Sequence, residues 1–152
     1  MSIWKELYDI FDKERARWES KSTNKQALVF EIQSNLTFLA DALQGEYSQT
    51  DIIKGLERSV FDRSIESGFL INTISKKKIT AKTIGGFDEF KKYINKDTEY
   101  LVANAYSKIS SLSKLVKLGN GKDNSLKFKS LFRFLVLLVT HIQNQNLTRK
   151  SR

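Results

Sequence analysis

Apolar residues recur along this chain at intervals of three and four, the pattern of helices that bury one face. The densest run is LKFKSLFRFLVLLVTHI, Leu126–Ile142. Eleven of its seventeen positions are apolar, and Phe134–Val139 run without a polar break. A helix that apolar on nearly every side is either wrapped by other helices or spans a bilayer. The unbroken part is far shorter than the roughly 20 apolar residues a span requires, and Arg133 interrupts it upstream. The pattern therefore predicts a soluble protein whose central helix covers about 124–145.

The other elements follow from the same spacing. Trp4, Leu7, Tyr8, Phe11 and Trp18 predict a first helix over 2–18, with Ser2 as its cap and Arg15 on the same face. Leu28, Ile32, Leu36, Leu39 and Leu43, widened by Val29, Phe30 and Ala40, predict a second over 23–44, stopped near Gly45. Ile52, Ile53, Leu56, Val60, Phe61 and Ile65 predict a third over 50–67, in which Gly55 is either a local weakness or a point of close packing. Residues 69–86, FLINTISKKKITAKTIGG, break the pattern. Their Ile and Thr content is compatible with a small β-like hairpin, and the reading favours an irregular loop. A short helix over 87–94 and a long one over 97–118 complete the set, the long one starting at Asp97 or Thr98. Asp123 or Asn124 would cap the central helix. The fold class is all-α: a compact bundle of five or six helices, a single domain over 1–145, and a polar, basic tail over 146–152 that frays.

Composition sharpens this. A chain of 152 residues fits one core, and the absence of proline lets helices run long. With no cysteine there is neither a disulfide framework nor a thiolate zinc site, which fits a cytoplasmic location. Charge adds an asymmetry. Residues 1–75 hold nine basic and twelve acidic side chains, a net of −3; residues 76–152 hold seventeen and five, a net of +12. Such a split points to a polyanionic partner, nucleic acid or an acidic protein, although lysines also solvate exposed helix faces.

Lys76, Lys77, Lys78, Lys82, Lys91, Lys92 and Lys96 concentrate around the long loop and the short helix, with Phe87, Phe90 and Tyr93 interleaved. Lysines of this kind would neutralise phosphates without reading sequence. The aromatics would either stack bases or belong to the core. The patch lacks the arginines that read base edges.

Catalytic and metal chemistry is sparse. One histidine and no cysteine supply no metal site, and no cofactor is expected. Gly119-Asn120-Gly121-Lys122 is not a phosphate-binding loop, because Val116 stands where its first glycine belongs and Asp123 follows the lysine. Arg133 and His141 lie on the central helix, with a polar stripe Lys129–Arg133–Thr140–Asn144 along it. An Arg and a His near the last helices resemble the pair in small helical ribonucleases of the HEPN class, which carry the two closer together than the seven residues between them here. That resemblance implies a dimeric nuclease or toxin with His141 as general acid–base; the bland reading is a histidine at a helix end. Glu31 and Asn35 flank the second helix's apolar stripe and would face Arg15 in a buried polar cluster. The leading expectation is a non-enzymatic binding module. The alternatives are the ribonuclease and a homo-oligomeric assembly protein, such as a homodimer closed over Trp4, Trp18 and the central helix.

Overall fold

The structure is a computed structural model that describes residues 3–20, 27–119 and 122–148, with the side chains of 3–4 and 14–20 outside the description. The described residues form α1 (Ile3–Ser20), α2 (Ala27–Gln44), α3 (Gln49–Gly55), α4 (Ser59–Glu66), α5 (Ala81–Ile84), α6 (Thr98–Lys117) and α7 (Ser125–Ile142). Two 3-10 segments, Ile71–Thr73 and Asp88–Tyr93, complete them. The protein is an all-α bundle, and no strand occurs among the described residues.

Helix α7 is its axis. Every residue from Phe134 to Ile142 is buried, and α1, α2, α5 and α6 all pack against it. Wrapping on all sides is what a helix with so little polar surface requires. Phe11 of α1 meets Phe132 edge-on with ring centroids 5.7 Å apart, and Tyr93 meets Phe134 at 5.0 Å. Helix α6 starts where the sequence predicts, because Asp97 Oδ1 accepts the Tyr100 N–H at 2.9 Å. The start of α7 is held by Gln49, whose Oε1 accepts from Asn124 N at 3.0 Å and from Asn124 Nδ2 at 2.9 Å.

The segment predicted as one helix over 50–67 is two, with an elbow at Leu56–Arg58. Helix α2 imposes the break. Asn35 offers its side-chain amide to Glu57 in both directions, donating to the Glu57 carbonyl and accepting its N–H, each at 2.8 Å. Glu31 then accepts the N–H groups of Val60 and Phe61, the first turn of α4, at 2.8 and 3.2 Å. Those donors have no partner within their own helix. Gly55 is a point of close packing, since an added Cβ would overlap the Phe38 ring. The elbow turns Ile65 outward, and Phe30 is likewise exposed, although both were expected on buried faces.

Residues 69–86 form no hairpin; they are the expected irregular loop, interrupted by the 3-10 turn Ile71–Thr73 and by α5. Ile79 is buried and pairs its backbone with the turn before α6: its N–H donates to the Lys96 carbonyl at 3.0 Å, and its carbonyl accepts from Asn95 N at 2.8 Å. Thr80 and Thr83 cap α5 reciprocally, and Gly85 ends it in the left-handed region at φ 58°. The fraying expected over 146–152 does not hold for 146–148. The chain turns through Asn144 at φ 57°, and the Leu147 N–H donates to the Thr83 carbonyl at 2.9 Å. Leu147 itself joins the core. Residues 149–152 lie outside the described residues.

Candidate polyanion interface

The predicted buried cluster divides. Glu31 and Asn35 are both 2% exposed and work together, but toward the α3–α4 elbow. The Arg15 side chain lies outside the described residues. A second ligand of Glu31 was not visible in the sequence: the Tyr106 hydroxyl of α6 donates to Oε1 at 2.7 Å. Burial, with the Glu31 carboxylate beside it, raises the Tyr106 pKa and keeps the phenol protonated. The Tyr106 ring stacks on Phe61 at 4.2 Å and 4°. Every acceptor of this cluster faces an element of the fold, so its role is architectural.

The seven candidate lysines separate into two groups. Lys76, Lys77, Lys78 and Lys82 are exposed on the loop that precedes α5 and on α5 itself. Lys91, Lys92 and Lys96 lie on the 3-10 segment and the turn before α6. The backbone pairing of Ile79 with 95–96 sets the two segments side by side. Phe87, Phe90 and Tyr93, spaced by three along 3-10 geometry, all point into the core and offer no ring to a base. Ring faces serve the lysines instead: Lys92 Nζ lies 5.4 Å over Tyr93, Lys96 4.7 Å over Tyr100, and Lys108 5.2 Å over Phe134. Lys108 had no signal in the sequence beyond its charge. Burial, then the neighbouring Lys92, lowers its pKa. Lys91 is engaged with Asp88 at 3.2 Å, an exposed pair of small energetic weight.

A cavity of about 180 Å³ opens between the first lysine group and the end of α7. It is lined by Lys77, Lys78 and Lys82, by Thr80 and Thr83, and by His141, Asn144, Gln145 and Asn146. Among the described residues no acidic side chain lines it. The amides enter only because Leu147 draws 143–146 back over α5. A run such as QNQN carries no periodicity from which that return could be read. A larger hollow of about 380 Å³ beside α4 is lined by Ala27, Leu28, Val60, Ser64, Ser67, Phe69 and Arg63. Among the described residues Arg63 is its one charged lining group.

His141 is 3% exposed. Its Nε2 lies 2.8 Å from Thr98 Oγ1, and that hydroxyl donates its only proton to the Ser75 carbonyl at 2.9 Å. The donor count therefore makes Nε2 the protonated nitrogen of the neutral ring and leaves Nδ1 as an acceptor. Desolvation lowers the His141 pKa, and the nearby Asp97 pulls it partly back. The Asp97 carboxylate is itself occupied by Tyr100 N and, at 3.2 Å, by Asn72 Nδ2; these bonds hold its pKa down.

The structure does not join His141 to Arg133. Arg133 Nε donates to Glu89 Oε2 at 2.9 Å, a partly buried pair, and Arg133 does not line the cavity. The stripe expected to connect them is not one network. Thr140 is buried with no hydrogen-bond partner for Oγ1, and Asn144 lies beyond the helix at the cavity. The Trp4 and Trp18 side chains lie outside the described residues. Among the described residues no cluster of His, Asp and Glu could hold a metal ion, and no helix is long and apolar enough to cross a membrane. No protein-family model, curated protein or solved structure matches this chain.

Proposed function

We propose that this protein is a cytoplasmic, non-enzymatic module that binds nucleic acid through its phosphates. The supporting observation is the juxtaposition of Lys77, Lys78 and Lys82 with side-chain amides around a cavity that no acidic side chain lines among the described residues, with the turn that carries Lys96 paired to Ile79 alongside. Lysine heads on flexible stems neutralise phosphates without a fixed geometry. With Phe87, Phe90 and Tyr93 buried, stacking contributes nothing there, so binding is sequence-tolerant and governed by salt.

The test is fluorescence anisotropy with single-stranded and duplex oligonucleotides across a salt series. On a single strand each neutralised phosphate contributes about −0.7 to the slope of log K against log salt. Replacing Lys76, Lys77, Lys78 and Lys82 together by alanine should flatten that slope by up to about 3. An unchanged slope and affinity in this variant would remove the assignment. Equal competition by polyglutamate would transfer the site to an acidic protein.

A further inference from the structure

A second row of lysines lies outside the cavity, between the 3-10 segment Asp88–Tyr93 and α6. Lys92, Lys96 and Lys108 stand over the rings of Tyr93, Tyr100 and Phe134 respectively. Two of those rings form a floor. Tyr93 and Phe134 are buried and meet edge-on, so Lys92 and Lys108 are held over neighbouring rings. The nearness of the two ammoniums registers on Lys108, whose pKa is lowered first by burial and then by Lys92. Among the described residues no carboxylate lies within ion-pair distance of Lys92, Lys96 or Lys108. The acids on these elements are engaged elsewhere: Asp88 with Lys91, Glu89 with Arg133, and Asp97 with Tyr100 N and Asn72. Glu99 is the exception, exposed and turned by about 100° around α6 from Tyr100.

The third ring differs from the other two. Tyr100 is 43% exposed, and of the exposed aromatics among the described residues, Phe30, Tyr47, Phe69 and Tyr100, it is the one with an ammonium over its face. Tyr100 and Lys108 stand about 12 Å apart along α6 at about 1.5 Å per residue. Nucleotides stacked at about 3.4 Å place about three or four over that length. The row is also continuous with the lysines at the cavity. Ile79 pairs its backbone with Asn95 and Lys96, and Lys78 lies close enough to Asp97 to help hold its pKa down.

Charge and ring make opposite demands on a ligand. Phosphate neutralisation by itself favours a duplex, which presents its charges more densely than one strand does. An exposed ring favours the reverse, because bases paired and stacked inside a duplex have no free face to offer it. The present partner of the ring is readily replaced: an exposed cation–π contact is weak beside a base–aromatic stack. Once displaced, the Lys96 ammonium is free to meet a phosphate of the same strand.

Resting on the nucleic-acid reading above, we infer that the ligand is a single strand that continues from the cavity along α6, with one base stacked on Tyr100 and its flanking phosphates on Lys96, Lys92 and Lys108. Every base has a π-face, so this contact selects unpaired strand without selecting sequence.

Anisotropy titrations compare one labelled DNA strand, free and annealed to its complement, across a salt series. The single strand should bind tighter than the duplex at the high-salt end, where charge contributes least. Tyr100→Leu should weaken single-strand binding by about five- to a hundredfold. It should displace the plot of log K against log salt without changing its slope, and cost the duplex less. Tyr100→Phe should keep the affinity. Lys92→Ala with Lys108→Gln should instead flatten the single-strand slope, by up to about 1.4. Should the Leu variant fail to fold by circular dichroism, the high-salt comparison of the two ligands on the parent protein carries the test. Tighter binding of the duplex at high salt, or unchanged single-strand affinity in a folded Tyr100→Leu, would overturn the inference and leave the phosphate reading standing. No binding of either form would remove both.

Discussion

Glu31→Ala tests the central claim about how this fold is held. The carboxylate is buried and takes three donors, the N–H groups of Val60 and Phe61 and the hydroxyl of Tyr106. Each hydrogen bond to a charged acceptor contributes about 1.5–3 kcal/mol, although such bonds are not additive. Truncation also leaves the Tyr106 hydroxyl buried and unpaired, and breaking a buried charged network by removing one member costs about 3–5 kcal/mol. We adopt that range. At about 2–4 °C per kcal/mol for a chain of this length, the melting temperature falls by about 6–20 °C. Urea denaturation provides the free energy directly. Tyr106→Phe keeps the stack on Phe61 and removes only the hydroxyl, so it belongs in a double-mutant cycle. Because the two groups share one bond, the cycle should give a coupling of about 0.5–3 kcal/mol. A loss below about 1 kcal/mol for Glu31→Ala, or no coupling with Tyr106, would show that the carboxylate does not clamp the elbow.

Three further outcomes follow from the same geometry. Alanine normally improves a helix interior over glycine by about 1 kcal/mol, yet Gly55→Ala should destabilise by about 1–3 kcal/mol because its Cβ meets Phe38; Phe38→Leu in the same chain should restore part of the loss. The Leu147 amide should resist hydrogen exchange, since it donates to Thr83, and Gly85→Ala should abolish that protection by overlapping the Leu147 backbone; an unprotected Leu147 amide in the parent protein would contradict the docking. His141 has a folded-state pKa below its ordinary value of 6.5. Its contribution to stability is therefore complete above about pH 6.5 and is lost as pH falls through the lower folded value, because the unfolded chain takes the proton first. Thermal melts between pH 5 and pH 8 should show this slope, and His141→Gln should reduce it.

What the sequence reveals about this fold depends on where each structural decision is made. The α7 core and the start of α6 are decided locally, by an apolar run and by Asp97 three residues before the Tyr100 N–H it accepts. Both are legible. The elbow between α3 and α4 is decided from outside, by Asn35 and Glu31 on another helix. Residues 50–67 taken alone read as one helix, because nothing within them forces a turn. The Ile- and Thr-rich stretch before α5 reads as β-prone, yet Ile79 alone pairs with a neighbouring segment. At the site, the charge of the lysines is plain from the sequence and the burial of their aromatic neighbours only half so. The three-residue spacing of Phe87, Phe90 and Tyr93 fits a single buried face, but the lysines between them draw attention to stacking. The cavity itself depends on the reversal after Asn144, which tertiary contact at Leu147 imposes.

The order of elements along the chain has a consequence for synthesis. Helix α7 follows every helix it packs against. At about 5–20 residues per second on the ribosome, the apolar face of α2 waits roughly 5–20 s before its partner exists. During that interval α2 has α1, α3 and α4 to pack against, and its contact with α7 is still missing. A chain cut before residue 125 would therefore lack the helix against which α1, α2, α5 and α6 all pack.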